Sequence, residues 1–245
     1  MKVIAVIPAR YHSSRFEGKA LADIHGKPMI EWVYRQAVKS LLVNKTIVAT
    51  DDKRIFRVVT KFGGDAVMTS ADNKTGTDRI AESVKSIRTD LVVNVQGDEP
   101  LISPEVIDSV VQPLLDNSKL QMATAACKIK NKQELDNPNV VKVTMDYQGN
   151  ALYFSRSIIP YQGKHQENPF HFYKHLGIYS YRKDFLLHFS GLPQSILEKT
   201  EKLEQLRALE NGYKIKVVKT KYDGIGVDTE EDLEKLIQLL KSRIN

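Results

Sequence analysis

Apolar strand-like runs alternate with amphipathic helical patterns over the first 110 residues, and this alternation constrains the fold more than any other feature of the chain. Residues 2–8 form a continuous apolar run, as expected of a parallel strand that is buried on both faces. Shorter strand patterns follow at residues 46–49, 66–68 and 91–95, with helical patterns between them. Strands spaced by helices predict a parallel sheet with right-handed crossovers. We therefore expect an α/β fold with a Rossmann-like, mostly parallel sheet flanked by helices.

Local signals mark where several helices begin and end. Pro28 stands at the start of one amphipathic pattern, and a second pattern over residues 52–62 ends at Gly63. The last helix of the chain is predicted to begin at Thr229, three residues before Asp232, which is the spacing of an N-terminal cap.

The middle of the chain has a different pattern. Residues 140–145 and 151–155 flank a turn and predict a β-hairpin, and residues 173–181 predict a further strand. Polar residues 162–172 predict a mobile surface loop. A single helix is expected over residues 196–210.

These patterns divide the chain into an α/β domain and an insertion. We assign residues 1–127 and 191–245 to the α/β domain. Residues 128–190 are assigned to a smaller mixed-β subdomain inserted on the sheet.

Composition excludes several classes of protein. The single cysteine, Cys127, can form neither an internal disulfide nor a cysteine-based zinc site, and it favours a reducing compartment. The excess of 36 Lys and Arg over 30 Asp and Glu is modest and spread along the chain, so we expect no nucleic-acid partner. No signal-peptide pattern is visible, and no apolar run approaches the ~18 residues of a membrane span. We therefore expect a cytoplasmic protein.

A basic loop follows the first strand and is the strongest local motif. It supplies Arg10, Arg15 and Lys19 together with the hydroxyls of Ser13 and Ser14. Arginine forks, a lysine charge, hydroxyls and backbone N–H groups are what a triphosphate requires. The loop also lies at the carboxyl end of a parallel strand, where open α/β sheets bind ligands. It matches neither the Walker nor the dinucleotide-binding glycine pattern, and a solvated basic loop is the competing interpretation.

Two aspartates follow strand-like segments farther along the chain. Asp98 comes after the run at 91–95, and Asp228 lies in Gly-Val-Asp-Thr before the last helix. Mg²⁺ prefers one or two carboxylates completed by phosphate oxygens and water, so the two could share one ion. Taken singly, each is better explained as a helix cap. The pair becomes informative only if both side chains reach the same place.

Other polar residues recur at strand and helix ends. Each one alone is more often a surface or core-edge residue than a ligand, and His175 in particular fits a hydrogen-bonded strand histidine. Together they would suit a polyhydroxylated carboxylic acid, which needs arginine for the carboxylate and neutral polar groups for the hydroxyls. The set comprises Arg79, Arg156, His175, Tyr179, Glu204 and Gln205.

With these residues in view, the chain resembles the 3-deoxy-manno-octulosonate (KDO) cytidylyltransferases, also called CMP-KDO synthetases. The matching stretches run in order along nearly the whole chain, which makes the resemblance far more specific than any one motif. They are IPARYHSSRFEGKAL, GKPMIEWV, VATDD, GTDRIAE, VNVQGDEPLI, NPNVVKV, ALYFSRSIIPY, KHLGIYSYR, LEQLRALENGYKIKV and GVDTEEDL.

The resemblance implies a reaction and its requirements. CTP and the eight-carbon sugar acid KDO would give CMP-KDO and pyrophosphate, for lipopolysaccharide biosynthesis. The family implies a Mg²⁺ cofactor and a homodimer, with residues 128–190 contributing to sugar binding and dimerisation.

The resemblance also implies roles for individual residues. Arg10, Ser13, Ser14, Arg15 and Lys19 would hold the CTP phosphates, and Asp98 and Asp228 would bind Mg²⁺. Catalysis would rest on Lys19, Arg15 and the two aspartates. The sugar acid would contact Arg79, Gln96, Arg156, His175, Tyr179, Glu204 and Gln205.

The chain departs from the family pattern in the phosphate loop. The family usually reads Pro-Gly-Lys-Pro, whereas this chain reads Glu17-Gly-Lys-Ala20. Loss of both prolines is expected to loosen the loop. The Glu17 carboxylate should repel a triphosphate unless its side chain points away.

Three alternatives remain open from the sequence. The acceptor could be an 8-amino octulosonate or another acidic sugar; a sialic acid is less favoured, because such enzymes typically continue Lys-Asn where this chain has Lys19-Ala20. A non-catalytic nucleotide-binding protein on the same scaffold is the alternative from another class. A glycosyltransferase is weaker still, because no D-x-D metal pair follows a strand.

Overall fold

A computed structural model describes residues 1–12, 15–162 and 171–244, with side chains described through residue 241. The chain divides into two compact units. The first comprises Met1–Asp108 and Gly224–Asn245, and the second comprises Ser109–Asp223. Within the described residues, no helix combines the length and apolar character needed to cross a membrane.

The first unit is built on four parallel strands. They are β1 (Val3–Ala9), β4 (Lys45–Thr50), β5 (Ala66–Met68) and β6 (Leu91–Asn94). Strand β1 lies between β6 and β4, and β5 follows β4. Every residue of β6 and the first five of β1 are buried, which explains their continuous apolar sequences. The expected parallel sheet is confirmed.

A short two-stranded ribbon and three helices complete the part of the first unit that precedes the second, and a fourth helix runs across the boundary between Asp108 and Ser109. The ribbon pairs β2 (Asp23–Ile24) with β3 (Lys27–Pro28) in antiparallel fashion. The predicted ends of two helices are confirmed: Pro28 is the N-cap of α1, and Gly63, with φ of 84°, follows α2. The helices are α1 (Met29–Val38), α2 (Lys53–Lys61), α3 (Gly76–Val84) and α4 (Pro104–Asp116).

The last helix of the chain returns to the first unit. Helix α9 spans Glu230–Ile244 and begins with the predicted cap, in which Thr229 Oγ1 accepts from Asp232 N at 3.2 Å. Its apolar face is buried in a cluster with the start of α1 and with Val227, which precedes Asp228. This packing fixes the segment that carries Asp228.

The second unit contains the other five strands. They are β7 (Met122–Lys128), β8 (Lys142–Met145), β9 (Ala151–Ser155), β10 (Tyr173–Arg182) and β11 (Ile215–Thr220). Strand β7 lies between antiparallel β10 and parallel β11. Strands β8 and β9 form the predicted hairpin, and β8 also pairs with β10. The helices are α5 (Lys132–Asp136), α6 (Lys183–Ser190), α7 (Ile196–Glu201) and α8 (Leu206–Glu210).

The second unit is wider than the insertion expected over residues 128–190. It also includes β7 and β11, because both strands pair into its sheet. The loop predicted over residues 162–172 falls largely on 163–170, which lie outside the described residues.

The expectation of one helix over residues 196–210 is wrong. The chain leaves helical geometry at Lys202, with φ of 55°, and α8 begins only at Leu206. The break lets Arg207 reach Glu198, with Nη2 at 2.5 Å from Oε1, and both side chains are almost fully buried. In a continuous helix these residues would lie about 13 Å apart along the axis.

Candidate active site

A cleft of about 300 Å³ lies at the carboxyl ends of the parallel strands in the first unit. This is the edge at which open α/β sheets bind ligands, because the loops that follow each strand meet there. The cleft is lined by the end of β1 with Arg10, the loop residues Arg15, Lys19 and Ala20, residues 73–76 with Arg79, residues 96–98, and Asp228.

Lys19 joins the two distant aspartates at the centre of this cleft. Its Nζ lies 2.7 Å from Asp98 Oδ2 and 3.2 Å from Asp228 Oδ1. The lysine side chain is only 18% exposed. Gly18, with φ of 69°, turns the chain immediately before it. The structure therefore brings together the three charged side chains that the sequence places in one site.

The helix-cap interpretation of the aspartates does not fit their contacts. Among the described residues, Lys19 is the one group that donates to the Asp98 carboxylate. Asp228 accepts from Lys19 and from Arg15 Nη2, whereas Asp232 makes the cap of α9. The two segments are joined by a hydrogen bond from Val227 N to Asp98 O at 2.9 Å. Both carboxylates therefore face the cleft rather than a helix end.

A backbone hydrogen bond and a cation–π contact hold the basic loop in place. Gly18 N donates to Tyr11 O at 2.9 Å, and the Arg54 guanidinium lies over the Tyr11 ring at 3.2 Å. Arg10 and Arg15 line the cleft, and within the described part of the chain Arg10 makes no ion pair. Ser13 and Ser14, both predicted to hold phosphate, lie outside the described residues.

Glu17 points away from the cleft. Its Oε1 contacts His12 Nδ1 at 3.1 Å, the side chain is 65% exposed, and it does not line the cleft. The Glu17 carboxylate is therefore not directed at the place where a triphosphate is expected to bind.

Arg79 and Gln96, predicted to contact the sugar acid, also line the cleft. Arg79 is 4% exposed, and its guanidinium donates to Asp51 Oδ2 at 2.8 Å and to Thr69 Oγ1 at 2.5 Å. Gln96 Nε2 donates to Asn94 Oδ1 at 3.1 Å. Both side chains are therefore held in fixed positions by protein groups.

The other predicted sugar contacts lie in the second unit. Arg156 is anchored by backbone carbonyls, with Nε donating to Glu201 O at 2.8 Å and Nη1 to Pro138 O at 3.0 Å. No described group accepts from its Nη2, which remains available to a carboxylate. His175 packs edge-on against Phe154, with ring centroids 5.1 Å apart, and lies 5.2 Å from the Tyr179 ring.

Burial keeps this aromatic pair neutral. It lowers the pKa of the His175 imidazole to about 3. Burial, with a smaller contribution from the Glu204 charge, raises the pKa of Tyr179 well above its usual value. At neutral pH, both groups can exchange hydrogen bonds with a ligand but carry no charge.

Glu204 and Gln205 lie between α7 and α8 rather than inside a helix. Glu204 approaches Arg207 at 3.5 Å. Gln205 is buried, and its Nε2 has no hydrogen-bond partner among the described residues. Such an orphaned donor is costly unless a bound molecule satisfies it.

Asp98 and Asp228 provide two carboxylates, which are the type and number of protein ligands that Mg²⁺ commonly has. Within the described residues, no three His, Cys, Asp or Glu side chains form a complete metal cage. Two carboxylates that meet at one ammonium are nevertheless the partial set that Mg²⁺ uses when phosphate and water complete its shell.

Asn73 and Lys74 also line the cleft, although neither stands in a motif that suggests a ligand. They follow β5 and precede the capping box in which Thr75 accepts from Asp78 N. Their position after a parallel strand is the same signal that identified the basic loop.

Comparisons with known proteins agree with this architecture. The family model described as Cytidylyltransferase matches residues 4–215. The 3-deoxy-manno-octulosonate cytidylyltransferase of Geotalea uraniireducens (strain Rf4) is 53% identical over 98% of this chain and 100% of its own length. That of Fusobacterium nucleatum subsp. nucleatum is 51% identical over 98% of each chain.

Solved structures of other proteins are also similar to the structure of this chain. A structure of CMP:2-keto-3-deoxy-manno-octonic acid synthetase complexed with CTP is 42% identical, has a TM-score of 0.94, and aligns over 99% of this chain and 100% of its own. The 4-diphosphocytidyl-2C-methyl-D-erythritol synthase of Anaerococcus prevotii is 17% identical with a TM-score of 0.65, over 98% and 99% of the two chains. The second likeness concerns the fold alone.

Proposed function

The chain belongs to the cytidylyltransferase family, and we propose that it transfers the cytidylyl group of CTP to KDO, giving CMP-KDO and pyrophosphate. The observation that carries the proposal is the junction of Lys19 with Asp98 and Asp228 in one cleft lined by the basic loop. It is supported by relatives of that name at about half identity over nearly the whole chain, and by the similar synthetase structure complexed with CTP.

The reaction is an in-line substitution at the α-phosphorus of CTP. The anomeric hydroxyl oxygen of the sugar forms the new bond to phosphorus and loses its proton. The bond from this phosphorus to the oxygen that bridges to the β-phosphate breaks, and pyrophosphate leaves with the electron pair. Little covalent work is asked of the protein, so positioning and charge stabilisation dominate.

The basic loop holds and neutralises the triphosphate in this proposal. Arg10 lines the cleft without an internal partner among the described residues, so it is free to pair with phosphate. Lys19 and Arg15 face the same space and would offset the charge that grows on the leaving pyrophosphate. Ser13 and Ser14 are assigned to phosphate binding by the family resemblance alone.

Asp98 and Asp228 would hold the Mg²⁺ ion. When bound, the ion would act as a Lewis acid that lowers the pKa of the attacking hydroxyl. In the free protein the ammonium of Lys19 lies between the two carboxylates and serves as their counter-ion. Lys19 would therefore have to turn towards the phosphates as the metal and nucleotide enter.

Recognition of the sugar acid is assigned to side chains that the protein holds rigidly. Arg156 keeps one guanidinium nitrogen available for a carboxylate, and Gln205 has an orphaned amide donor. Neutral His175 and Tyr179 suit sugar hydroxyls. Arg79, Gln96 and Glu204 complete the proposed set.

The decisive experiment incubates the purified protein with CTP, KDO and Mg²⁺, measures pyrophosphate release, and identifies CMP-KDO by mass spectrometry. A panel with an 8-amino octulosonate and a sialic acid tests the alternative acceptors. Rapid release with KDO and slow release with the other sugars supports the proposal. Binding of CTP without pyrophosphate release from any sugar acid would identify a non-catalytic nucleotide-binding protein instead.

We also propose a cytoplasmic homodimer that supplies lipopolysaccharide biosynthesis. The family resemblance supports all three points, and the pool of CTP on which the reaction depends is cytoplasmic. Light scattering during gel filtration measures the oligomeric state, and a mass of one chain, 27.8 kDa, would contradict the dimer.

A further inference from the structure

The side-chain hydroxyl of Thr124 is fully buried in the second unit, where it contacts two backbone carbonyl oxygens and a histidine ring. Its Oγ1 lies 2.7 Å from Ile178 O, 3.2 Å from Leu176 O and 3.0 Å from Nε2 of His175. Thr124 itself has no exposed surface. It is therefore the protein group that fixes one edge of the His175 ring.

An irregularity in β10 creates this arrangement. Leu176 pairs with Ala125 of β7, but the next paired residue, Tyr179, lies opposite Thr124, so the register of β10 against β7 shifts between Leu176 and Tyr179. A register shift of this kind is typical of a β-bulge, which redirects backbone groups. Here the bulge places two carbonyl oxygens beside the Thr124 hydroxyl.

The number of available protons fixes the direction of each hydrogen bond. A threonine hydroxyl has one proton to donate, and carbonyl oxygens only accept. The proton of Thr124 is therefore directed to the bulge, where Ile178 O is the nearer acceptor. The contact with His175 is favourable only if Nε2 carries a proton and donates it to a lone pair of Oγ1.

The remaining ring nitrogen of His175 is then a bare acceptor. Burial lowers the pKa of this imidazole to about 3, so at neutral pH the ring carries a single N–H. With that N–H on Nε2, Nδ1 keeps a free lone pair. No group within the described ranges hydrogen-bonds Nδ1.

We propose that Thr124 is a positioning residue that holds His175 in the Nε2–H tautomer, so that Nδ1 accepts a hydrogen bond from a hydroxyl of the sugar acid. The inference rests on the proposed function, because it takes His175 as a sugar contact. It adds the direction of the hydrogen bond to that contact. Nδ1 of His175 should bind a ligand hydroxyl that donates a proton, and it should disfavour a ligand group that can only accept one.

The tautomer can be observed directly. Long-range proton–nitrogen NMR spectra of protein labelled with ¹⁵N-histidine distinguish protonated from bare ring nitrogens. The chain has six histidines, and the spectrum of a His175→Asn variant identifies the resonances of His175. We expect a protonated Nε2 and a bare Nδ1 between pH 5 and 9, a range about two units or more above the pKa.

Substitutions at Thr124 test its role. Thr124→Val keeps the shape but removes the hydroxyl; the ring should lose its fixed tautomer, and the KM for KDO should rise about five- to tenfold, as expected for one hydrogen bond. The KM for CTP should change by less than about twofold. Thr124→Ser should restore the tautomer and the sugar KM. Ser180→Ala is the matched control, because it deletes another buried hydroxyl that bonds a backbone carbonyl without touching His175.

The outcomes separate this inference from the proposed function. A wild-type ring protonated on Nδ1, an unchanged tautomer in Thr124→Val, or an equal rise in sugar KM in Ser180→Ala would overturn it. If Thr124→Val does not fold, the wild-type and Thr124→Ser spectra still decide the tautomer. If the tautomer is as expected but wild-type protein releases no pyrophosphate from CTP and KDO, the proposed function fails, and the sugar contact fails with it.

Discussion

The ammonium of Lys19 lies 2.7 Å from the carboxylate of Asp98, although 79 residues separate them in the chain. Before any ligand arrives, the ammonium of Lys19 and the guanidinium of Arg15 together offset the charges of the two carboxylates. If Mg²⁺ binds these aspartates as proposed, the free ion would have to compete with this internal cation, whereas Mg²⁺ bound to a triphosphate would bring negative charge for the lysine to bind. The proposal therefore predicts that metal and nucleotide enter together.

Lys19→Ala should lower turnover on the order of 100-fold or more, because it removes a cation placed to offset charge on the leaving pyrophosphate. Initial rates of pyrophosphate release at saturating CTP and KDO measure this loss. Lys27→Ala is the matched control, since Lys27 lies over the Trp32 ring and does not line the cleft. Turnover of Lys19→Ala close to that of the control would remove Lys19 from the mechanism.

Asp98→Asn should abolish Mg²⁺-dependent pyrophosphate release, because a neutral amide is a poor ligand for this hard cation. The measurement is the rate of release across a Mg²⁺ titration. Asp116→Asn is the control, since Asp116 accepts a hydrogen bond from Gln112 Nε2 at the end of α4 and does not line the cleft. An unchanged metal dependence in Asp98→Asn would show that Asp98 does not bind the ion.

Arg156→Ala should raise the KM for KDO more than the KM for CTP, by about tenfold or more, because a charged hydrogen bond to the sugar carboxylate is lost. Arg182→Ala provides a comparison, since Arg182 is likewise anchored by backbone carbonyls, those of Leu120 and Leu114. Equal increases in both KM values would argue against a carboxylate clamp at Arg156.

Arg207→Ala should lower the free energy of unfolding by about 3–5 kcal/mol, because it leaves the buried Glu198 carboxylate without its ion partner. The double variant Glu198→Leu/Arg207→Leu should be less destabilised, since it leaves no unpaired charge. Urea denaturation measures both. A single variant as stable as wild type would mean that the pair does not hold α7 against α8.

Asp52→Asn should weaken the protein at pH 6, and the weakening should shrink progressively as the pH falls below 4 towards 2. Its hydrogen bond and ion pair with Arg54 lower the pKa of Asp52 to about 2 in the folded protein, below its ordinary value of 3.8. The ionised form therefore stabilises the fold above about pH 4, and this contribution is lost as the pH falls towards 2.

Urea midpoints of wild type and Asp52→Asn at pH 6, 4 and 3 measure the effect. Asparagine also caps helices well, so the difference isolates the charge. A difference between the two proteins that does not shrink on acidification would contradict the assignment.

Much of the first unit follows from local sequence. The continuous apolar run of β1 and the helix-end signals at Pro28, Gly63 and Thr229 are short-range patterns, and the structure confirms each one. The convergence of Lys19 with Asp98 also follows from one rule, that loops after parallel strands meet at the same edge. Asp228 is placed there instead by the packing of Val227 with α9 and by the hydrogen bond from Val227 N to Asp98 O.

The rest depends on contacts between distant residues. The break at Lys202 is favoured because Arg207 then reaches a buried Glu198, and helical periodicity alone carries no sign of that pair. Strands β7 and β11 join the second unit by pairing across long separations in sequence. The hydrogen bond from Thr124 to the bulge likewise becomes visible only when β7 and β10 are placed side by side.

Lys19, Asp98 and Asp228 come from segments of the chain separated by as many as 209 residues. Asp228 comes after the whole of the second unit in the sequence. No fragment of the chain that lacks one of these segments can present the complete set. During refolding, nucleotide binding should therefore appear late. It requires that the C-terminal segment with Asp228 and α9 has packed against the rest of the first unit, which the first helices to form do not provide. Affinity for nucleotide would then serve as a probe of whether the discontinuous first unit has finished assembling.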